Sequence, residues 1–221
     1  MKGAGRHFLV AVLVVAWMGA VLYPDPRPFI ASVARLVDPP VDARAAAGMA
    51  AACPSDYKAI DDFVADYVAW QSAWTVYNLP WYFPTVPEVI ADRAGDCQAR
   101  AVLGASIMQA KGMPYTVRYS LDHVWVDYPG KEATALEDQA TSFVSDAGEG
   151  WTATLPTKIP MQTILQQRIA YHWTPMPPLR KVLLLGGPVV IIGWGERRFF
   201  GRLKRLVVRL VARRTPGESA P

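Results

Sequence analysis

Three side chains stand in an order and spacing that suit nucleophilic acyl chemistry: Cys97, His123 26 residues later, and Asp138 a further 15 residues on. Cys97 lies in Arg93-Ala94-Gly95-Asp96-Cys97-Gln98-Ala99-Arg100-Ala101, between a turn signal and an apolar pattern at helical spacing. Lys111-Gly112-Met113-Pro114 then supplies a cationic last turn, a glycine stop and a proline. The cysteine is therefore expected to open a helix, with Asp96 as its N-cap. At such a position the unpaired N–H groups and the positive end of the helix dipole favour thiolate over thiol, and they can hold a developing oxyanion. In this scheme Cys97 attacks a carbonyl, His123 exchanges the proton, and Asp138 fixes the imidazole tautomer. The product is a covalent acyl-enzyme. Water would release it as an acid and an amine would release it as a new amide, and the residues do not choose between the two.

The elements that must position these groups follow from periodicity. Tyr115 to Ser120 and Leu121 to Tyr128 alternate as half-buried strands, and Ala133 to Asp138 gives a shorter third. A symmetric hairpin loop centred on Pro129-Gly130 sets His123 opposite Leu136 and Asp138 opposite Leu121. His123 and Asp138 are then diagonal neighbours on one face, at roughly 7–8 Å between backbones. Asp122 points to the other face, and Asp127 lies about 13 Å along the strand, so Asp138 is the expected orienter.

Between about Trp81 and Phe143 the chain resembles the transglutaminase-like superfamily, whose fold is papain-like α+β. The resemblance rests on Gly95-x-Cys97-x-x-x-Ala101, on His123-x-Trp125-x-Asp127, and on Asp138 before Ala140-Thr141. The family often places an aromatic just upstream of its aspartate, where this chain has Leu136 and Glu137. The resemblance implies a nucleophile helix packed on a small antiparallel sheet, with Cys97, His123 and Asp138 as the triad. It also implies peptidase, amidase or transglutaminase activity on peptide or protein substrates, in a superfamily where some members have lost catalysis. The competing expectation is a noncatalytic extracytoplasmic module that holds a peptide in the same cleft.

The flanks indicate where this chemistry happens. Lys2 and Arg6 precede the uncharged apolar run Phe8 to Tyr23, in the order of a secretory signal, and Pro24-Asp25-Pro26 follows without a clean cleavage site. An uncleaved signal anchor is expected. A second apolar run, Val182 to Trp194, is interrupted by Gly186-Gly187-Pro188, so a kinked short span competes with a re-entrant or interfacial segment. From Glu196 to Arg214 eight basic residues share a helical pattern with Phe199, Leu203, Val207 and Leu210. That is a basic amphipathic helix suited to anionic lipid rather than to nucleic acid. Residues 24–179 hold 11 Lys+Arg and 17 Asp+Glu, a net of −6, whereas residues 196–221 hold 8 basic and 2 acidic, a net of +6. If the second run spans, the positive-inside rule puts both termini in the cytoplasm and the acidic middle outside. If it does not span, the basic tail lies outside.

The expected organisation is a signal anchor at 1–23, a proline-rich linker with short helices at 24–52, a catalytic domain at 53–178, an apolar membrane segment at 179–195 and a basic amphipathic tail at 196–221. Within it, Phe29 to Val37 and Val41 to Ala52 read as short helices and Asp56 to Tyr77 as a single longer one. Trp70 and Trp74 fit a core or cleft wall, and the loop Leu79 to Pro84 also fits the cleft wall. Cys53 is the other cysteine. In an exported protein a Cys53–Cys97 disulfide competes with the nucleophile, and the helix-start setting of Cys97 argues against the bridge. Two cysteines and the scattered His7, His123 and His172 give no metal-ligand spacing. No dinucleotide or phosphate fingerprint is present, so no cofactor is expected. His172 is expected to be a satisfied loop or interface histidine.

Overall fold

A computed structural model describes residues 4–121, 123–132, 134, 137, 142–146, 151–153 and 161–194. They form a mixed α+β chain in two compact units, residues 25–176 and the two terminal segments.

Helix α7, Cys97–Ala110, is the axis of the larger unit. Its small side chains, Ala99, Ala101, Ala105 and Ser106, are buried together with Val102, Leu103, Ile107 and Met108. A helix apolar on every side belongs in a core, and small residues let neighbours approach closely. Helices α3 (Ala47–Ala52), α4 (Tyr57–Tyr67) and α6 (Val86–Asp92) pack on α7, as does a four-stranded antiparallel sheet. That sheet has the order β4-β3-β5-β6, with β3 Thr116–Tyr119, β4 Val124–Asp127, β5 Val144–Asp146 and β6 Trp151–Ala153. A separate two-stranded parallel pair joins β1, Ala69–Trp70, to β2, Ala94–Gly95.

Several expected elements form as read. Helix α2, Arg27–Val37, covers the short linker helix, and α7 ends at Lys111 with Gly112 at φ +65°. Others do not. The single helix expected over 56–77 breaks after Tyr67. Val68 is extended, and Ala69 N–H and Gln71 N–H donate to Arg93 O and Gly95 O, which draws the chain into β1. Arg100 caps the break by donating to Ala65 O and Val68 O. The chain becomes helical again only in α5, Ala73–Tyr77. Val41 to Ala52 is helical only in α3, because Asp42 Oδ1 accepts from Arg44 N–H and Ala45 N–H and fixes a turn instead.

The strand that follows His123 pairs with β3, while its expected partner, Ala133 to Asp138, lies mostly outside the described residues. β4 pairs with β3 across residues 120–123, with Thr116 opposite Asp127 and Tyr119 opposite Val124. Among the described residues β4 is an edge strand. Of that stretch, Thr134 and Glu137 are described and neither lies in a strand; Glu137 N–H donates to both the carbonyl and the hydroxyl of Thr134. The threonine side chain offers the backbone an alternative to a ladder. Asp138 and Leu136, on which the expected register depended, lie outside the described residues.

In the terminal unit, α1 (Ala4–Leu22) is long and apolar enough to cross a membrane. Residues 178–194 form a second apolar helix, α9, that continues through Pro188 rather than stopping at the Gly-Gly-Pro interruption. Trp17 Nε1–H donates to Leu183 O at 2.8 Å, and Arg180 donates to Leu22 O at 3.0 Å. Gly187 makes room for the Trp17 ring, as a Cβ there would lie 1.9 Å from Nε1. The basic tail, 196–221, lies outside the described residues.

Candidate active site

Cys97 is the first residue of α7, and the local sequence explains how it is held. Asp96 is the N-cap, with Oδ1 accepting from Gln98 N–H at 2.9 Å and Ala99 N–H at 3.4 Å. Gly95 precedes it because a Cβ at that position would lie 2.4 Å from the Ala99 Cβ. The glycine of the Gly-x-Cys pattern thus lets β2 run directly into the first turn of α7. The other oxygen of Asp96 accepts from the Tyr171 hydroxyl at 2.6 Å. Asp96 is buried, 4% exposed.

The electrostatics of the thiol differ from the sequence expectation. Desolvation pushes the Cys97 pKa up, and the neighbouring Asp96 carboxylate pushes the same way. Backbone N–H groups of Val124, Gln98 and Cys97 pull down without reversing the direction. Of the first-turn N–H groups that were expected to serve the sulfur or an oxyanion, that of Gln98 is shared with Asp96 and that of Ala99 bonds Asp96. Cys97 therefore rests as a thiol, and a base must remove its proton at the moment of attack.

His123 sits at the foot of β4. Its N–H donates to Ser120 Oγ at 3.0 Å and its carbonyl accepts from Ser120 N–H at 2.9 Å, which closes the β3–β4 connection. The imidazole stacks on the buried Trp125 ring, with centroids 5.9 Å apart and planes at 17°. Nε2 lies 3.5 Å from Glu137 Oε1. Lys131 holds that carboxylate from the other side at 3.2 Å, and Asp61 flanks Lys131 at 3.6 Å. Desolvation acts to raise the Glu137 pKa, but its bond to His123 and the charge of Lys131 outweigh it, and the net direction is down. Among the described residues, Glu137 is thus the carboxylate that faces His123. Asp127, in contrast, pairs with Arg118 at 2.6 Å.

Two cavities meet at these residues. A cleft of about 570 Å³ is lined by Cys97, Gln98, His123, Trp70, Trp81 and Tyr171, among others, a size within the roughly 300–1,000 Å³ of small-ligand sites. A second space of about 200 Å³ shares Cys97, His123, Val124 and Trp70 with it and reaches Asp61, Lys131 and Glu137. The expected wall residues Trp70 and Trp81 line the larger cleft, whereas Trp74 is a buried core residue whose Nε1–H donates to His172 O at 2.7 Å. Arg35 fixes the Trp81 loop by donating to Phe83 O at 2.8 Å and to the Tyr82 hydroxyl at 3.0 Å.

The far wall comes from α8, Met161–Arg168, and the π-helical turn Ile169–Trp173 that continues it. His172 is satisfied, as expected: Nδ1–H donates to Pro80 O at 2.9 Å, Nε2 accepts from Arg168 at 3.1 Å, and burial holds its pKa down, so the ring is neutral. Sequence reasoning missed Tyr171, Gln98 and Glu137. A hydroxyl 75 positions from its carboxylate partner leaves no local signal. Glu137 was hidden by the assumption of a regular strand.

The disulfide alternative does not form, as both cysteines are free. Cys53 sits by the C-terminal end of α7, where its carbonyl accepts from Lys111 Nζ at 2.7 Å, while Cys97 opens the other end. Fourteen helical residues span about 21 Å, against roughly 4.4–6.8 Å between bridged Cα atoms. Comparison with family models, with curated proteins and with solved structures returns no match.

Proposed function

We propose that this chain is a membrane-anchored cysteine enzyme of transglutaminase-like type, with a papain-like core, that cleaves or transfers the acyl groups of peptide or protein amides. The observation that carries the reading is the pair of cavities meeting at Cys97 and His123, with the Glu137 carboxylate behind the imidazole. His123 accepts the thiol proton as the sulfur attacks the amide carbonyl. The same proton then passes to the departing amine nitrogen, which leaves a thioester on Cys97. Water or a second amine attacks the thioester carbon, His123 takes the proton of that nucleophile, and the thiol is restored. Glu137, and Asp138 beside it, are the candidate carboxylates for orienting the imidazole and stabilising its cation. Cys97 N–H is the first-turn donor that Asp96 does not engage, so it is the candidate to meet the oxyanion.

The apolar α1 supports anchoring. By charge distribution the acidic domain is extracytoplasmic and the basic tail meets anionic lipid. The raised thiol pKa favours a second reading, a peptide-binding module without turnover. Incubating the full chain in detergent with a mixed peptide pool, quenching in acid and mapping Cys97 separates the two. A hydroxylamine-labile acyl adduct on wild type and not on His123→Ala supports the enzyme. Peptides retained by both proteins with no adduct on either support the module.

A further inference from the structure

Gln98, a residue of the larger cleft's lining, carries a buried polar atom with no partner among the described residues. Gln98 follows Cys97 in α7, is 9% exposed, and lines the cleft. Its backbone N–H is committed to Asp96, but its side-chain oxygen Oε1 is buried and accepts no hydrogen bond from the described residues. Buried polar atoms in folded proteins are almost always paired, and an exception calls for an explanation. Other polar groups of the same wall are engaged. Tyr171 donates to Asp96, His172 Nδ1–H donates to Pro80 O, and Arg168 donates to Leu121 O and to His172.

We infer that Gln98 is a specificity-determining residue that reads an amide group of the acyl donor, with Oε1 accepting an N–H of the bound molecule. The inference rests on the cysteine-enzyme reading above and narrows its substrate class to amides that present an N–H beside the reacting carbon. A carboxamide is the natural complement of an amide, since one group accepts from N–H and the other can donate to a carbonyl. An ester of the same shape brings a lone pair where the N–H should be and leaves Oε1 unpaired. A site built to receive a hydrogen bond rejects such an analogue.

Two small alkylating probes of nearly equal shape test this without a known substrate. Iodoacetamide carries the N–H and methyl iodoacetate does not. In each case the thiolate sulfur bonds the methylene carbon and iodide leaves. Rates at Cys97 of the full-length protein in detergent, mapped by mass, are each divided by the rate on free N-acetylcysteine. The inference expects the normalised amide-to-ester ratio of wild type to be roughly tenfold or more, the worth of one hydrogen bond at a buried site. It expects Gln98→Met to bring that ratio to about one. Gln98→Glu, which keeps an acceptor, retains a preference for the amide. A wild-type ratio near one, with Cys97 labelled by both probes, overturns the role of Gln98 and leaves the nucleophile standing. If neither probe labels Cys97, both fall. The wild-type ratio decides the matter even if a variant does not fold.

Discussion

A cysteine lies by each end of helix α7, Cys97 as its first residue and Cys53 against Lys111 at the other end, and the two ends treat their thiols differently. At the C-terminal end Cys53 is 4% exposed and packed in the core, with Lys111 on its carbonyl. Desolvation raises its pKa and the Lys111 charge only partly offsets that. At the N-terminal end Cys97 also has a raised pKa, from desolvation and then Asp96. Resting acidity therefore does not favour Cys97, whose thiol is pushed up further than that of Cys53. What distinguishes them is company: Cys97 opens on a cleft, shares it with His123, and has a carboxylate network behind that histidine. Cys53 lines neither of the two cavities described above. Reactivity in this chain is a matter of where a proton can go when the sulfur attacks.

The largest effect that would break this comparison is removal of the base. His123→Ala is expected to slow alkylation of Cys97 at neutral pH by about 10²-fold, the low end of general-base contributions, and to leave Cys53 unchanged. Peptide-resolved labelling rates check both halves. Next comes the entry to α7. Gly95→Ala places a Cβ against Ala99, and such overpacking costs about 1–3 kcal/mol. Thermal denaturation should show a lower midpoint, and Cys97 labelling should fall with it.

A smaller effect sharpens the electrostatic half of the comparison. Asp96→Asn keeps a capping oxygen and removes the negative charge that raises the thiol pKa. The alkylation profile of Cys97 should therefore move to lower pH, with a severalfold gain in rate near pH 7, on the order of 1 kcal/mol. The profile of Cys53 should not move. The smallest effect concerns Glu137, whose folded pKa is depressed below the reference 4.5. A depressed carboxylate contributes stability above its unfolded pKa and loses it as pH falls through the lower folded value. Wild type should lose this contribution only below about pH 4.5. Glu137→Gln should be less stable than wild type near neutrality by about 1 kcal/mol or less, and the gap should close in acid. Urea melts at several pH values measure it.

Local signals in the sequence carried the nucleophile half of the site. Asp96 before Cys97, and Gly112 after Lys111, are cap and stop residues that act within one turn, so the bounds of α7 could be read directly. The short helix α2 was legible for the same reason, with Pro28 in its first turn. The histidine half depended on pairing at a distance. The described residues pair β4 with β3 and β3 with β5, contacts between segments that no single window of sequence contains. The break after Tyr67 likewise needs Arg93, Gly95 and Arg100, some thirty residues away. Tyr171 reaches Asp96 only once the chain has returned over the cleft.

The most direct test of the central claim is intact-mass labelling of the full chain with iodoacetamide across pH 4 to 9, with peptide mapping of both cysteines in wild type and in His123→Ala. A His123-assisted nucleophile predicts that wild-type Cys97 is labelled faster than Cys53 throughout the neutral range, and that His123→Ala abolishes this advantage. Equal rates at Cys97 in wild type and His123→Ala would contradict the account and leave the cleft as a binding surface.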